Sequence, residues 1–141
     1  MKKTFDIKPD VDIEDLMFLQ PATLYLLGAF VVYANNLGLP VNITSICEDV
    51  QGRKTRTHCE GRAFDVSVRG WNLLDIQNAV AYFNKNFKDI GAISSSDHKA
   101  RALVYHKIPG GIAHFHAQTR LFPEGKAVPM LKQNVKCNQN D

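Results

Sequence analysis

Four side chains that can bind a metal ion occur in two short segments of the sequence. His58 and Asp65 lie in "THCEGRAFDV", and His114 and His116 lie in "HFH". Two imidazole nitrogens and one carboxylate oxygen are a common ligand set for a catalytic zinc ion, which keeps its fourth position open for water. Because zinc lowers the pKa of a bound water to about 7, such a site produces a nucleophile at neutral pH. Each residue alone has an ordinary alternative as a capping or solvent-facing side chain, so the indication comes from the combination.

The strand pattern places these residues away from a hydrophobic core. In "AFDVSV", residues 63–68, the apolar side chains alternate with small or polar ones. Phe64 and Val66 would therefore point into the core, and Asp65 would lie on the opposite face.

A second pair of strands is predicted at residues 101–106 and 112–118. The turn-forming "KIPGG" joins them, which favours an antiparallel hairpin. In the second strand the residues on one face are Ile112, His114, His116 and Gln118. His114 and His116 would thus lie on the same face of the sheet.

Helical spacing appears in two longer segments. Pro21 suits the first turn of a helix that ends near Gly38, with one face formed by Leu24, Leu27, Val31 and Ala34. Asn72 is a suitable N-cap for a second helix running to about Phe87. A short helix within residues 10–19 and a strand at residues 41–46 complete the predicted elements.

This order of elements predicts an α+β fold with a small antiparallel sheet flanked by helices and the zinc site on the sheet. With 141 residues, the chain suits one domain spanning 1–141. Residues 119–141 contain two prolines and end in a polar segment, so we expect an extended or frayed tail there.

Composition excludes several classes of function. The net charge of +3 is small and scattered, so we expect no nucleic-acid partner. The three cysteines have no metal-ribbon spacing and suit a reducing cytosol. Residues 16–34 are apolar but interrupted, which favours a core helix over a stable membrane association. Acidic residues precede any apolar run, which is wrong for a signal peptide, and we expect a monomer.

The two metal-binding segments together resemble a known enzyme family. The pattern H-x-x-G-x-A-x-D, present as His58, Gly61, Ala63 and Asp65, is followed by the His-x-His ending at His116. This arrangement is similar to the zinc D-alanyl-D-alanine carboxypeptidases and L-alanyl-D-glutamate endopeptidases, which include murein endopeptidases and phage endolysins. The resemblance extends from about residue 43 to residue 118.

The resemblance implies roles for individual residues. It makes His58, Asp65 and His116 the ligands of Zn²⁺ and the peptidoglycan stem peptide the substrate. His114 takes the position of the residue that assists catalysis, where many relatives have an acidic general base. A neutral imidazole can accept a proton in that place.

One stretch departs from the family pattern. Relatives usually carry an arginine where this chain has Glu48. Arg53 and Arg56 are close in sequence to the first ligand, so either could take over substrate binding and stabilise charge during catalysis. Cys59 offers a competing thiolate ligand, although the family pattern gives it no role. His106 ends a predicted strand, but sequence does not fix the hairpin register that would bring it to the site.

The leading expectation is a zinc peptidase of the endolysin type, made in the cytoplasm and acting on the cell wall after release. The alternative is a catalytically inactive zinc-binding structural or interaction module, such as a phage virion component. A nuclease or other metal-dependent hydrolase fits less well, because one carboxylate poorly matches two-metal phosphoryl chemistry.

Overall fold

The computed structural model describes residues 5–47, 56–94, 97–107 and 109–122 and confirms the α+β fold class. Its helices are a 3₁₀ helix at Ile13–Phe18, α1 at Pro21–Asn36 and α2 at Leu73–Asn86. Its strands are β1 (Phe5–Ile7), β2 (Val41–Ser45), β3 (Ala63–Ser67), β4 (Ala92–Ile93), β5 (Ala100–Arg101), β6 (Leu103–His106) and β7 (His114–Gln118). Within the described ranges, no helix is both long enough and apolar enough to cross a membrane.

Five strands form the main sheet, in the order β1-β2-β3-β7-β6, and β4 pairs with β5 in a separate two-stranded sheet. The pairs β2–β3, β3–β7 and β6–β7 are antiparallel, as expected. The pair β1–β2 is parallel, so the main sheet is mixed. A parallel pair needs a crossover connection, and here the 3₁₀ helix and α1 provide it.

The hydrophobic core lies between the two helices and one face of the main sheet. Phe30 of α1 is fully buried at its centre and packs against Phe64 and Phe115 of the sheet, with ring centroids 6.5 and 5.5 Å away. On the other side it contacts Phe83 of α2 at 5.4 Å. The predicted core face of β3 is confirmed, because Phe64 and Val66 are both fully buried. Asp65 consequently lies on the face that points away from the helices.

The predicted face of α1 is buried only in part. Its members Leu27 and Ala34 are buried, but Leu24 is 50% exposed. Leu26 and Phe30, which lie outside that face, are buried as well. The helix "PATLYLLGAFVVYANN" contains no charged residue, so several of its faces are apolar. With so little amphipathic contrast, helical spacing alone does not identify the side that meets the sheet.

The strand predicted at residues 101–106 is divided in two at Ala102. The Asn84 side chain of α2 accepts hydrogen bonds from the Ala102 and Leu103 backbone amides, at 2.8 and 3.0 Å, and donates one to the Leu103 carbonyl at 2.8 Å. These bonds replace ladder pairing at the break, so Arg101 pairs with β4 while Leu103 begins the main-sheet strand. The predicted hairpin of β6 and β7 is confirmed.

The chain remains attached to the fold where the frayed tail was expected to begin. Thr119 is fully buried, and its hydroxyl lies 2.6 Å from the Thr23 hydroxyl of α1. The Arg120 backbone amide donates to the Ile90 carbonyl at 2.8 Å. Residues 123–141 of the predicted tail lie outside the described residues.

Gly61 fixes the loop between β2 and β3 against the start of α1. Its φ of +69° is in the left-handed region, and an added Cβ would overlap the Phe18 carbonyl oxygen. Its own carbonyl accepts a hydrogen bond from the Gln20 backbone amide at 2.8 Å. The glycine of the H-x-x-G-x-A-x-D pattern is therefore required by both backbone conformation and close packing.

We predict that Gly61→Ala lowers the free energy of unfolding by about 2 to 5 kcal/mol, since left-handed strain and steric overlap both act against it. Gly110→Ala is the matched control, because Gly110 also has a positive φ but nothing lies within 4 Å of an added Cβ. Gly110→Ala should lower the free energy of unfolding only by the cost of left-handed strain, about 1 to 2 kcal/mol. Urea unfolding of both variants measures the difference, and equal losses would show that the Phe18 contact imposes no constraint.

Candidate metal centre

The register of β3 against β7 brings two of the predicted ligands together. Asp65 lies directly opposite His116 in this antiparallel pair. The Asp65 Oδ1 atom is 2.9 Å from His116 Nδ1. Both residues are buried, at 6% and 8% exposure, on the sheet face that points away from the helices.

His58 reaches the same point from the loop before β3. Backbone hydrogen bonds from Gly61 to His58 (3.0 Å) and from Arg62 to Thr57 (2.7 Å) form the turn that folds this loop over the sheet. The His58 residue is only 3% exposed. Its Nε2 atom lies 3.1 Å from Asp65 Oδ1 and 3.2 Å from His116 Nδ1. The structure thus brings all three predicted ligands to one point.

The outer nitrogen of each imidazole has a partner that fixes its proton. His58 Nδ1 is 2.6 Å from the Ile46 carbonyl oxygen, which can only accept, so this nitrogen carries the hydrogen. His116 Nε2 is 3.2 Å from Gln118 Oε1 and donates to it in the same way. In the neutral rings, the lone pairs therefore belong to His58 Nε2 and His116 Nδ1, the two atoms that face Asp65.

Three acceptor atoms converge at this point, and such an arrangement repels itself unless positive charge lies among them. Their separations of 2.9, 3.1 and 3.2 Å are close to the roughly 3.3 Å between ligand atoms of a tetrahedral ion with bonds near 2.0–2.1 Å. The residues present therefore fit a metal ion, and His58, Asp65 and His116 are the group that could hold one.

The electrostatics of Asp65 show how strongly this cluster attracts positive charge. Burial alone would raise the pKa of the Asp65 carboxyl. When the His116 and His58 rings carry a second proton, their hydrogen bonds to Asp65 and their charge outweigh burial and hold that pKa well below its usual range. Protons on the two histidines and a metal ion thus compete for the same three atoms.

His114 lies at the edge of the cluster. Its Nδ1 is 3.1 Å from the Ile112 carbonyl and its Nε2 is 3.9 Å from Asp65 Oδ2, a distance too long for a hydrogen bond. The side chain is half-buried. His114 therefore sits beside the three ligands with one nitrogen directed towards them.

His106 is a further member that the sequence left open. It pairs with His114 across β6 and β7, and its ring centroid lies 5.4 Å from that of His114 and 5.5 Å from that of His116. Burial, followed by the charges of His116 and His114, lowers the pKa of His106. Sequence alone does not fix the register of the β6–β7 hairpin, and that register is what brings His106 beside His114.

Arg53 and Glu48 lie outside the described residues. Of the described residues, Arg56 and Cys59 do not belong to the group that could hold a metal ion. The Arg56 side chain is 80% exposed and forms an ion pair with Glu60, with Nε 3.3 Å from Oε1. Cys59 is exposed and its thiol lies 3.3 Å from the Arg56 carbonyl oxygen. Its role as a competing ligand gains no support from this position.

Comparison with protein-family models, with curated proteins and with solved structures found no match for this chain. The residues and the geometry of the site are therefore the basis on which a function is proposed.

We predict that His58→Ala and Asp65→Ala each weaken zinc binding by at least about 100-fold, since each removes a direct ligand, and loss of an outer-shell partner alone costs about 10- to 100-fold. Competition with a chromophoric chelator measures the dissociation constant. Cys59→Ala is the control and should bind zinc like the unsubstituted protein. A large loss in the Cys59 variant would instead support the thiolate assignment.

We also predict a specific acid sensitivity of the metal-free protein. Because the folded pKa of Asp65 is lowered from its usual 3.8, its carboxylate contributes stability above that pH and loses it as pH falls towards the lower folded pKa. Asp65→Asn should therefore flatten the fall in unfolding free energy below about pH 4. Chemical unfolding in chelator across this range provides the test.

Asp97→Asn is the control for this acid sensitivity. Asp97 is paired with Arg101 at the surface, which lowers its pKa, but solvent screens the pair. Asp97→Asn should therefore change the pH dependence of the unfolding free energy less than Asp65→Asn does. If unfolding free energy falls with pH in parallel for Asp65→Asn and the unsubstituted protein, Asp65 is not the source of the acid sensitivity.

Proposed function

We propose that this protein is a zinc-dependent peptidase that hydrolyses peptidoglycan stem-peptide bonds, as a carboxypeptidase or an endopeptidase of the phage endolysin type. The observation that carries the proposal is the convergence of His58 Nε2, Asp65 Oδ1 and His116 Nδ1, with His114 at the edge of the same cluster. The proposal includes synthesis in the cytoplasm and action on the cell wall after release.

The donor set supports zinc as the metal. Two imidazole nitrogens and one carboxylate suit zinc better than magnesium or calcium, which prefer oxygen ligands. Three protein ligands are the usual number in catalytic zinc sites, whereas structural sites have four. His58, Asp65 and His116 would therefore hold the ion and leave one position for chemistry.

Bound zinc would supply Lewis acidity, polarising the scissile carbonyl and making water acidic enough to attack at neutral pH. The chain itself moves the proton. His114 Nδ1 donates to the Ile112 carbonyl, which leaves Nε2 with a lone pair directed towards the ligands. His114 Nε2 takes a proton from the attacking water and returns it to the departing amine nitrogen. The peptide bond is thereby exchanged for a carboxylate and a free amine.

The substrate class is supported by the family resemblance. Four of the matching positions lie where the proposal needs them: His58, Asp65 and His116 in the group that could hold the metal, and Gly61 at the turn that positions His58. The stem peptide of peptidoglycan is the substrate that this pattern implies.

One observation favours the alternative of a metal-binding module without catalytic activity. A substrate-binding arginine needs a free guanidinium near the metal, but Arg56 forms a surface ion pair with Glu60. If substrate does not displace Glu60, the site would hold metal without an oxyanion partner from this residue.

Digestion of purified peptidoglycan decides between the two functions. The zinc-loaded protein is incubated with sacculi of the diaminopimelate and lysine types, and mass spectrometry measures new amino termini and released D-alanine. We expect products from one type and none from the Asp65→Ala and His116→Ala controls. Bound zinc with no product from either type would establish the binding module.

His114→Ala tests the catalytic role separately from metal binding. We predict a fall in kcat of about 10²- to 10⁴-fold, the usual contribution of a general base, with one zinc still bound. His98→Ala, on an exposed loop, is the matched control and should retain full activity. Unchanged turnover in the His114 variant would remove this residue from the mechanism.

A further inference from the structure

Gln118 uses both ends of its side-chain amide around the metal cluster. Its Oε1 atom accepts a hydrogen bond from His116 Nε2 at 3.2 Å. Its Nε2 atom donates to the Arg101 carbonyl at 3.1 Å and to the Ala92 carbonyl at 3.4 Å. Since carbonyl oxygens only accept, the NH₂ end must face them and the oxygen must face His116.

The Gln118 side chain is held firmly in this orientation. The residue is 6% exposed at the end of β7, and its backbone amide donates to the Ala102 carbonyl at 3.0 Å. Ala92 and Arg101 are cross-strand partners in the β4–β5 pair, so the amide contacts both strands at once. Rotation of the amide would leave the buried Ala92 carbonyl and the half-buried Arg101 carbonyl facing an oxygen, which is unfavourable.

We propose that Gln118 is the positioning residue of the metal centre: it holds His116 in the tautomer whose Nδ1 can bind metal, and it connects the metal to the β4–β5 hairpin. The inference rests on the metal-binding part of the proposed function and is independent of the substrate. Outer hydrogen-bond partners of this kind orient ligating histidines and increase their basicity.

Metal binding should in turn affect the β4–β5 hairpin through Gln118. A cation on Nδ1 withdraws electron density from the His116 ring and strengthens the hydrogen bond from Nε2 to Gln118. Bonds in series polarise one another, so the amide's bonds to the hairpin carbonyls strengthen as well. Metal binding therefore stabilises the hairpin, whose outer end is closed by the Ser94 amide bonded to the Lys99 carbonyl at 2.8 Å.

Gln118→Met tests the positioning role, because it keeps the length of the side chain and removes both hydrogen-bonding ends. We expect zinc affinity to fall about 10- to 100-fold. We also expect the Nε2–H signature of His116 in ¹H–¹⁵N spectra of the metal-free protein to give way to a mixture of tautomers.

Asn84→Ala is the control for general destabilisation, because Asn84 is another side-chain amide clamp at this hairpin and bonds only to backbone groups of Ala102 and Leu103 in the described contacts. It should lower the melting temperature and leave zinc affinity within about twofold. Unchanged affinity in Gln118→Met, or an equal loss in Asn84→Ala, would overturn the inference.

Hydrogen exchange in the unsubstituted protein gives a readout that no folding defect can obscure. The Ser94 amide should exchange several-fold more slowly with zinc than without it. An unsubstituted protein that binds no zinc would contradict the metal site as well, whereas zinc binding with no change at Ser94 contradicts only the connection through Gln118.

Discussion

The pairing of β3 with β7 is the constraint on which the rest of the structure depends. It places Asp65 opposite His116 on one face and Val66 opposite Phe115 on the other. A shift of one residue would exchange the faces, burying the ligands against the helices and exposing the aromatic core. The packing of Phe30 against Phe64 and Phe115 therefore fixes the metal cluster as well as the core. The same strand register therefore determines both the packing of the core and the geometry of the site.

The site is costly for a chain of this size, because it buries two imidazoles and a carboxylate. Desolvation of such groups is unfavourable unless each has a partner. The outer nitrogens of His58 and His116 are satisfied by the Ile46 carbonyl and the Gln118 side chain. The inner atoms instead face one another. The outer nitrogens are thus compensated, and protons or a cation among the three inner atoms relieve the cost that remains.

Sequence predicted the parts of the fold that local patterns determine. Alternation in residues 63–68 identified the core face of β3, and Asn72 caps α2 as expected, accepting a hydrogen bond from the Asp75 amide at 2.8 Å. The three residues that could hold a metal ion were recognisable because their spacing is specific. The buried face of α1 was predicted only in part, with Leu27 and Ala34 buried and Leu24 exposed, because a helix without charges has weak periodicity. The division of β5 from β6, and the contacts of His106 and Gln118 with His116, depend on tertiary register, which single-sequence patterns do not encode.

The three residues that could hold a metal ion differ in how the fold positions them. Asp65 and His116 stand on paired strands, so the sheet forms two thirds of the site regardless of the loops. His58 depends on a loop that is joined to α1 through Gly61. Helix α1 begins at Pro21. Its N-cap, Gln20, makes no side-chain capping bond, and the Gln20 backbone amide donates a hydrogen bond to the Gly61 carbonyl. Because the helix start and the His58 loop satisfy each other's backbone, loosening either one opens the metal cluster on the side of His58. Metal held on three sides would thus stabilise the first turn of α1 in addition to the sheet, which links the core helix to the chemistry of the opposite face.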